Sequence, residues 1–264
     1  MEWLVIYAAV GAGAGLLAGL LGVGGGVVVV PCLAVAFQAQ GIGERFVMPM
    51  ALGTSLAAVV LTAAASAAAH HGRGAVRWPV VRALAPGSAV GAFGGAWIAS
   101  RASFAALTLV FAGFLWVVAT RLLRDASPGP DRALPPARVL AAVGGLIGCV
   151  SGVVGIGGGT MSVPFLVRHR VPFPHAIGTA AAAGLPIALA GAVGYIVNGL
   201  GLVGAPSQSL GFVHLPALAG VAAASVAAAP LGAGLAHRMP TDRLKIVFAG
   251  LLYVVGAKLA WSVF

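Results

Sequence analysis

GLLGVGGGVVVVP, residues 19–31, places three consecutive glycines inside a segment otherwise apolar enough to cross a bilayer. Glycine weakens a helix by about 1 kcal/mol relative to alanine, so the triplet marks an intended break. GVVGIGGGTMSVP, residues 152–164, is nearly the same stretch again. The rest of the chain follows from this duplication.

Of the 264 residues, 60% are hydrophobic and 8% charged, and the mean hydropathy is +1.05. A soluble domain carries about 25% charged residues, and a globule of this size cannot hide so much apolar surface from water. The chain therefore reads as a polytopic membrane protein whose first partner is the lipid bilayer. The start, Met1-Glu2-Trp3, lacks the basic region of a secretory signal. Fifteen Lys and Arg against five acids give a net charge of +10. These basic residues lie mostly in short loops, as the positive-inside bias requires, so a nucleic-acid partner is not expected. An oligomer is compatible with the sequence, which does not specify one.

Apolar segments fall at 3–21, 27–37, 48–69, 78–99 and 104–123, then at 139–154, 160–167, 176–197, 215–236 and 244–264. Between the two sets lies a polar, Pro-rich stretch, RDASPGPDRALPPAR. This predicts a first membrane repeat over 1–123, a linker over 124–138 and a second repeat over 139–264. Each repeat has a long segment, a glycine break, a short segment and three full spans. At an offset of 133, Gly11, Gly15, Gly19, Gly22, Gly24, Gly25, Gly26 and Pro31 fall on Gly144, Gly148, Gly152, Gly155, Gly157, Gly158, Gly159 and Pro164. At 125, LGTS (52–55) falls on IGTA (177–180), and at 137 VFAG (110–113) falls on VFAG (247–250). Ordered matches at three places indicate an internal repeat.

Loop charge decides the orientation of the repeats. If each long–short pair crosses the membrane once, basic residues split seven against seven. If the break turns the chain back as a hairpin, twelve fall on one side, and only Arg45 and Arg101 on the other. The second split is the positive-inside pattern. The fold class expected is thus an all-α integral membrane protein of two inverted repeats. Each is a glycine-broken helical hairpin plus three transmembrane helices, with both termini outside.

A hairpin tip at membrane depth leaves amides without helical partners, which is tolerated where the tip is buried in protein or lines a cavity. Glycine admits positive φ and close ligand approach. The short segments begin at the tips, and helix N-termini attract anions. Two inverted tips would make one midplane site, as in secondary transporters, with Pro31 and Pro164 kinking the short segments. Gly11, Gly15, Gly19 and their copies fit close helix packing. The triplets exceed what packing needs, so Gly24, Gly25, Gly26, Gly157, Gly158 and Gly159 are assigned to the site, with Thr160 beside them. Thr54, Ser55 and Thr179 either donate hydroxyl hydrogen bonds to the anion or bond to their own helix backbone.

The five acids, Glu2, Glu44, Asp125, Asp131 and Asp242, lie at an end, in loops or in the linker. Cation and proton pumps keep a carboxylate in the membrane, so a small anionic substrate is favoured. No catalytic residues, metal ligands or cofactors are expected. The histidines fall near span ends; His175, four residues before Thr179, is the one to test as a proton carrier. Lys258 snorkels from the last span. A G-x-G-x-x-A match at residues 13–18 lacks the acid that a dinucleotide site needs. A thiol–disulfide carrier using Cys32 and Cys149 is a second function class. The repeat counts against it, because Cys32 corresponds to Phe165 and Cys149 to Leu16.

GLLAGLLGVGGGVVVVPCL, LGTSLAAVV and the basic loop HHGRGAVRW, with the second copies GCVSGVVGIGGGTMSVPFL and IGTAAAAG, resemble the sulfite exporter TauE/SafE family, also called 4-toluene sulfonate uptake permeases. The resemblance covers essentially the whole chain. It implies a bacterial inner-membrane transporter of sulfite-like anions or organosulfonates. Within transport, a carrier or a passive anion channel remains open at this point. The second copy of the basic loop, QSLGFVHL, lacks arginine, as inversion requires.

Overall fold

A computed structural model describes residues 2–21, 25–124, 133–236 and 241–263. The first five helices are α1 (Glu2–Leu21), α2 (Gly26–Ala39), α3 (Glu44–Gly72), α4 (Trp78–Ala99) and α5 (Phe104–Leu123). After the linker come α6 (Ala137–Val154), α7 (Gly159–Arg168), α8 (Phe173–Gly199), α9 (Leu215–Ala236) and α10 (Thr241–Trp261). A two-residue antiparallel ribbon pairs Ser209 with His214 and Leu210 with Val213 just before α9. Among the described residues, α3, α5, α6 and α8 are each long and apolar enough to cross a membrane. Apolar side chains such as Val5, Val90, Leu146 and Val254 lie exposed on the outer surface, where lipid rather than water is the natural solvent.

Local signals set the ends. Ser103 caps α5 by accepting the Ala106 N–H at 3.2 Å. Proline occupies the first turns of α4 and α8, where its missing N–H costs nothing. Pro31 and Pro164 sit inside α2 and α7, which are assigned as unbroken helices.

The α1–α2 pair is a return hairpin. Gly25 packs on Ala14; farther out, Tyr7 meets Phe37 with ring centroids 6.3 Å apart. Gln40 donates to the Tyr7 hydroxyl at 2.6 Å. In the second half, Leu140 shares a buried cluster with Leu166, and Ile147 shares one with Met161.

Glycine stripes bring helices of different halves into backbone contact. A Cβ on Gly11 would run into the Val221 carbonyl, and one on Gly15 into that of Ser225, so α1 and α9 run parallel. Gly144, Gly148 and Gly152 meet Leu84, Ser88 and Ala92 in the same rising order, and Gly87, Gly91 and Gly95 reciprocate from α4. Small residues that admit close backbone approach are the usual means of helix association in lipid. By contrast α3 and α8 run antiparallel: Gly53 lies against Tyr195, Leu56 against Gly191, and His70 against Gly178. α5 and α10 are also antiparallel, with Thr120 bonded to the Tyr253 hydroxyl at 2.6 Å and Trp116 packed on Gly256. Exchanging α1–α5 for α6–α10 in order maps α1/α9 onto α6/α4, α4/α8 onto α9/α3, and α2/α3 onto α7/α8. The same exchange returns α3/α8 and α5/α10 to themselves.

Candidate functional site

Where both breaks are described, the equivalent glycines Gly25 and Gly158 differ in conformation. Around the first, residues 22–24 are outside the described residues, and the assignment of Gly24 falls there. Gly25 has an ordinary right-handed conformation, φ −66°, and its carbonyl accepts the Val28 and Val29 N–H groups at 3.0 Å each. The second break has two left-handed glycines. Gly155 ends α6 at φ +73°, and the N–H groups of Gly155 and Ile156 donate to the Ser151 carbonyl at 2.8 and 3.1 Å. Gly158 starts α7 at φ +74°, and its carbonyl accepts Met161 and Ser162 at 3.1 and 2.9 Å. Only glycine takes these two conformations without strain. In both α2 and α7 the first amides, at Gly26 and Val27 and at Gly159 and Thr160, have no intrahelical acceptor.

The breaks touch. A Cβ on Gly26 would stand 2.9 Å from the Gly155 carbonyl oxygen, 2.9 Å from Ile156 and 3.1 Å from the Ser55 hydroxyl. Ser55, from α3, donates to the Gly155 carbonyl at 2.8 Å and is itself buried. Tyr195, fully buried on α8, donates to the Gly152 carbonyl at 2.9 Å. Gly157 packs against Val59 of α3, and its carbonyl packs against Gly184 of α8.

Thr54 and Thr179 each grip the chain just before another helix. Thr54 Oγ1 accepts the His214 N–H at 3.0 Å, one residue before α9. Thr179 Oγ1 accepts the Arg77 N–H at 3.0 Å, one residue before α4. The preceding glycines make room: Gly53 sits against the Phe212 carbonyl and Gly178 against that of Ala75. The duplicated Gly-Thr pair is thus a clamp that holds the entry of α9 and of α4. Neither expected hydroxyl role includes this bond, because both partners lie more than a hundred residues away.

Three buried polar atoms have no hydrogen-bond partner among the described residues: Ser151 Oγ, Thr160 Oγ1 and His175 Nδ1. Two of them border the second break. Thr160 belongs to the expected site; Ser151 does not. Its signal was available as the one hydroxyl in GCVSGVVG, but it is hidden in a row that reads as helix packing. His175 lies in the first turn of α8.

The cysteines are free thiols on separate elements. Cys32 lines an apolar cavity of about 70 Å³ between α2 and α10, with Val28, Pro31 and Leu252. Cys149 packs on α4 at Gly91 and Gly95. Among the described residues no group of His, Cys, Asp or Glu has the arrangement of a metal site.

The family model for the sulfite exporter TauE/SafE matches residues 7–259. A probable membrane transporter protein of Haemophilus influenzae is 35% identical over 254 residues, covering 96% of each chain. The probable membrane transporter protein YdhB of Bacillus subtilis is 26% identical over 88% of this chain and 89% of its own. A probable membrane transporter protein of Xylella fastidiosa is 31% identical over 68% and 69%. No solved structure matches. With the match running along nearly its whole length, and with helices that can cross a bilayer, the chain belongs to the TauE/SafE sulfite exporter family and is a multi-pass membrane transporter.

Proposed function

We propose that this transporter is a secondary carrier for a small sulfur-containing oxyanion or organosulfonate in a bacterial inner membrane, and that the substrate binds where the two glycine breaks meet. The observation that carries the reading is the contact of Gly26 with Gly155 beside Ser55. It brings the start of α2, with its open amides, against the turn that ends α6 and leads into α7, and open amides at a helix start favour an anion. The substrate class comes from the family description. The same tight contact supports a carrier over a channel, since packed breaks form a barrier that has to part to let an ion through.

The domains belong to the same proposal: inverted repeats over 1–123 and 139–264 joined by the linker 124–138. A two-fold axis in the membrane plane makes equivalent helices antiparallel, and an axis along the normal makes them parallel. The antiparallel α3/α8 and α5/α10 pairs support the in-plane axis.

Uptake into proteoliposomes tests the carrier. Saturable sulfite flux that is accelerated by sulfite on the opposite face is expected. A linear, non-saturating flux shared equally with chloride would replace the carrier with a channel. The topology is tested separately in a cysteine-free background. Cysteines at Arg77 and Arg132 are expected to resist an impermeant thiol reagent outside intact cells, while one at Gln208 reacts. Labelling of Arg77 and Gln208 positions from one side would remove the inversion.

A further inference from the structure

Ser151 is 1% exposed, and its hydroxyl has no partner among the described residues; the Thr160 hydroxyl is buried in the same state. A serine inside a helix ordinarily bonds to the carbonyl one turn back, and a buried donor left unpaired works against the folded state. The location of the two explains what they wait for. A Cβ on Gly158 would stand 3.3 Å from Ser151 Oγ, so that hydroxyl faces the left-handed turn from which α7 departs. Thr160 is the second residue of α7, and the Gly159 and Thr160 amides have no intrahelical acceptor. Two hydroxyls and two amides therefore border one turn. The repeat does not reproduce this arrangement. At the offset of 133 that superposes the glycines, Ser151 corresponds to Ala18 and Thr160 to Val27.

Resting on the reading that the breaks hold an anion, we infer that recognition is concentrated on the second break, where Ser151 and Thr160 are the hydroxyl donors that select an anion with two or more acceptor oxygens. The first break contributes the open amides at the start of α2. Neutral donors arranged around a helix start reward the number of acceptor oxygens rather than charge alone. A site built to hydrogen-bond its ligand strongly rejects an analogue that leaves those donors unpaired. A sulfite or sulfonate group satisfies several donors at once; a halide of equal charge does so with no fixed directions.

The test uses the full chain in detergent, with sulfite and chloride as probes, read by calorimetric titration and by the thermal midpoint of the ligand-free protein. Ser151→Ala and Thr160→Val are each expected to weaken sulfite binding about tenfold, to leave chloride binding unchanged, and to leave the ligand-free midpoint unchanged or raised. Should the alanine variant fail to fold, Ser151→Cys keeps the volume with a far weaker donor and gives the same reading. Sulfite affinity unchanged in both variants would overturn the assignment while leaving an anion site at the breaks. If the unmodified protein bound neither sulfite nor methanesulfonate, the anion reading itself would fall, and this assignment with it.

Discussion

The Gly-Thr clamps and the glycine breaks are both duplicated, but only the clamps do the same work twice. Thr54 and Thr179 accept the N–H one residue before α9 and α4, each at 3.0 Å, and Gly53 and Gly178 each make way for the carbonyl two residues before that N–H. At the breaks, the equivalent glycines that are described, Gly25 and Gly158, differ in conformation. One has Gly25 in a right-handed turn; the other has Gly155 and Gly158 in left-handed ones, unpaired hydroxyls beside it, and Ser55 bonded to it. Ser55 corresponds to Ala180, which has no hydroxyl to return the bond. Where two halves need the same scaffold, the same pair of residues suffices. On the proposed reading, a small ligand at their meeting point would have only one set of oxygens to satisfy, so donors on one side would be enough.

The sharpest way to break this contrast is at the glycines. Gly158→Ala, at the position equivalent to Gly25, forces a left-handed conformation on a residue with a side chain, about 1–2 kcal/mol, and places its Cβ 2.5 Å from an Ile187 methyl and 3.3 Å from the Ser151 hydroxyl. A total loss of about 2–4 kcal/mol is expected. Gly25→Ala keeps a permitted conformation, 3.2 Å from the Ala14 carbonyl, and is expected to cost about 1 kcal/mol or less. Chemical unfolding of the two variants compares them directly, and equal losses would make the breaks equivalent.

The clamps come next. Thr54→Val and Thr179→Val each leave a backbone N–H without its acceptor, so each is expected to cost about 1–2 kcal/mol, with sulfite affinity unchanged. Loss of binding at full stability in either variant would return that threonine to the substrate site.

A smaller effect belongs to the first clamp. His214, on the first clamp, is buried against Tyr7 and Phe37, and its Nδ1 accepts the Ala217 N–H at 3.3 Å. Burial lowers its pKa. The neutral ring is the folded form, so its contribution to stability is present above the ordinary value of about 6.5. It is lost as the pH falls toward the depressed value, because the unfolded chain takes up the proton first. The thermal midpoint is expected to drop by a few degrees between pH 7.5 and 5.5, and His214→Asn, which keeps an acceptor that does not titrate, should flatten the curve. The smallest change is expected from replacing Cys32 and Cys149 together by alanine: transport stays near the parent rate in a liposome assay, and its complete loss at normal expression would revive the thiol carrier.

Much of the fold was legible because apolar length is a strong signal in a membrane protein. α4, α5 and α9 begin and end at the residues the pattern indicates, 78–99, 104–123 and 215–236. The packing role of Gly11, Gly15, Gly144 and Gly148 was also legible, though not the identity of the helices they face, since spacing names a stripe and not its partner. The repeated Gly-Thr pair was legible in the sequence, but the bonds of Thr54 and Thr179 reach His214 and Arg77 across 160 and 102 residues, and no local pattern records such a distance. Ser151 escaped for the opposite reason: a small residue in a row of glycines looks like one more contact.

The glycine stripe of α1 has a consequence for how the protein is made. Gly11 and Gly15 lie against Val221 and Ser225, more than two hundred residues downstream. A ribosome therefore delivers α1 to the membrane long before its main neighbour exists, whereas α6 emerges after α4 is already in place. The N-terminal helix waits, held meanwhile by α2 through Tyr7, Phe37 and Gln40, and its final docking can follow only after α9 has been inserted. Assembly at this seam is thus governed by the order of synthesis, and a chain arrested before residue 215 would leave a ladder of bare backbone facing lipid.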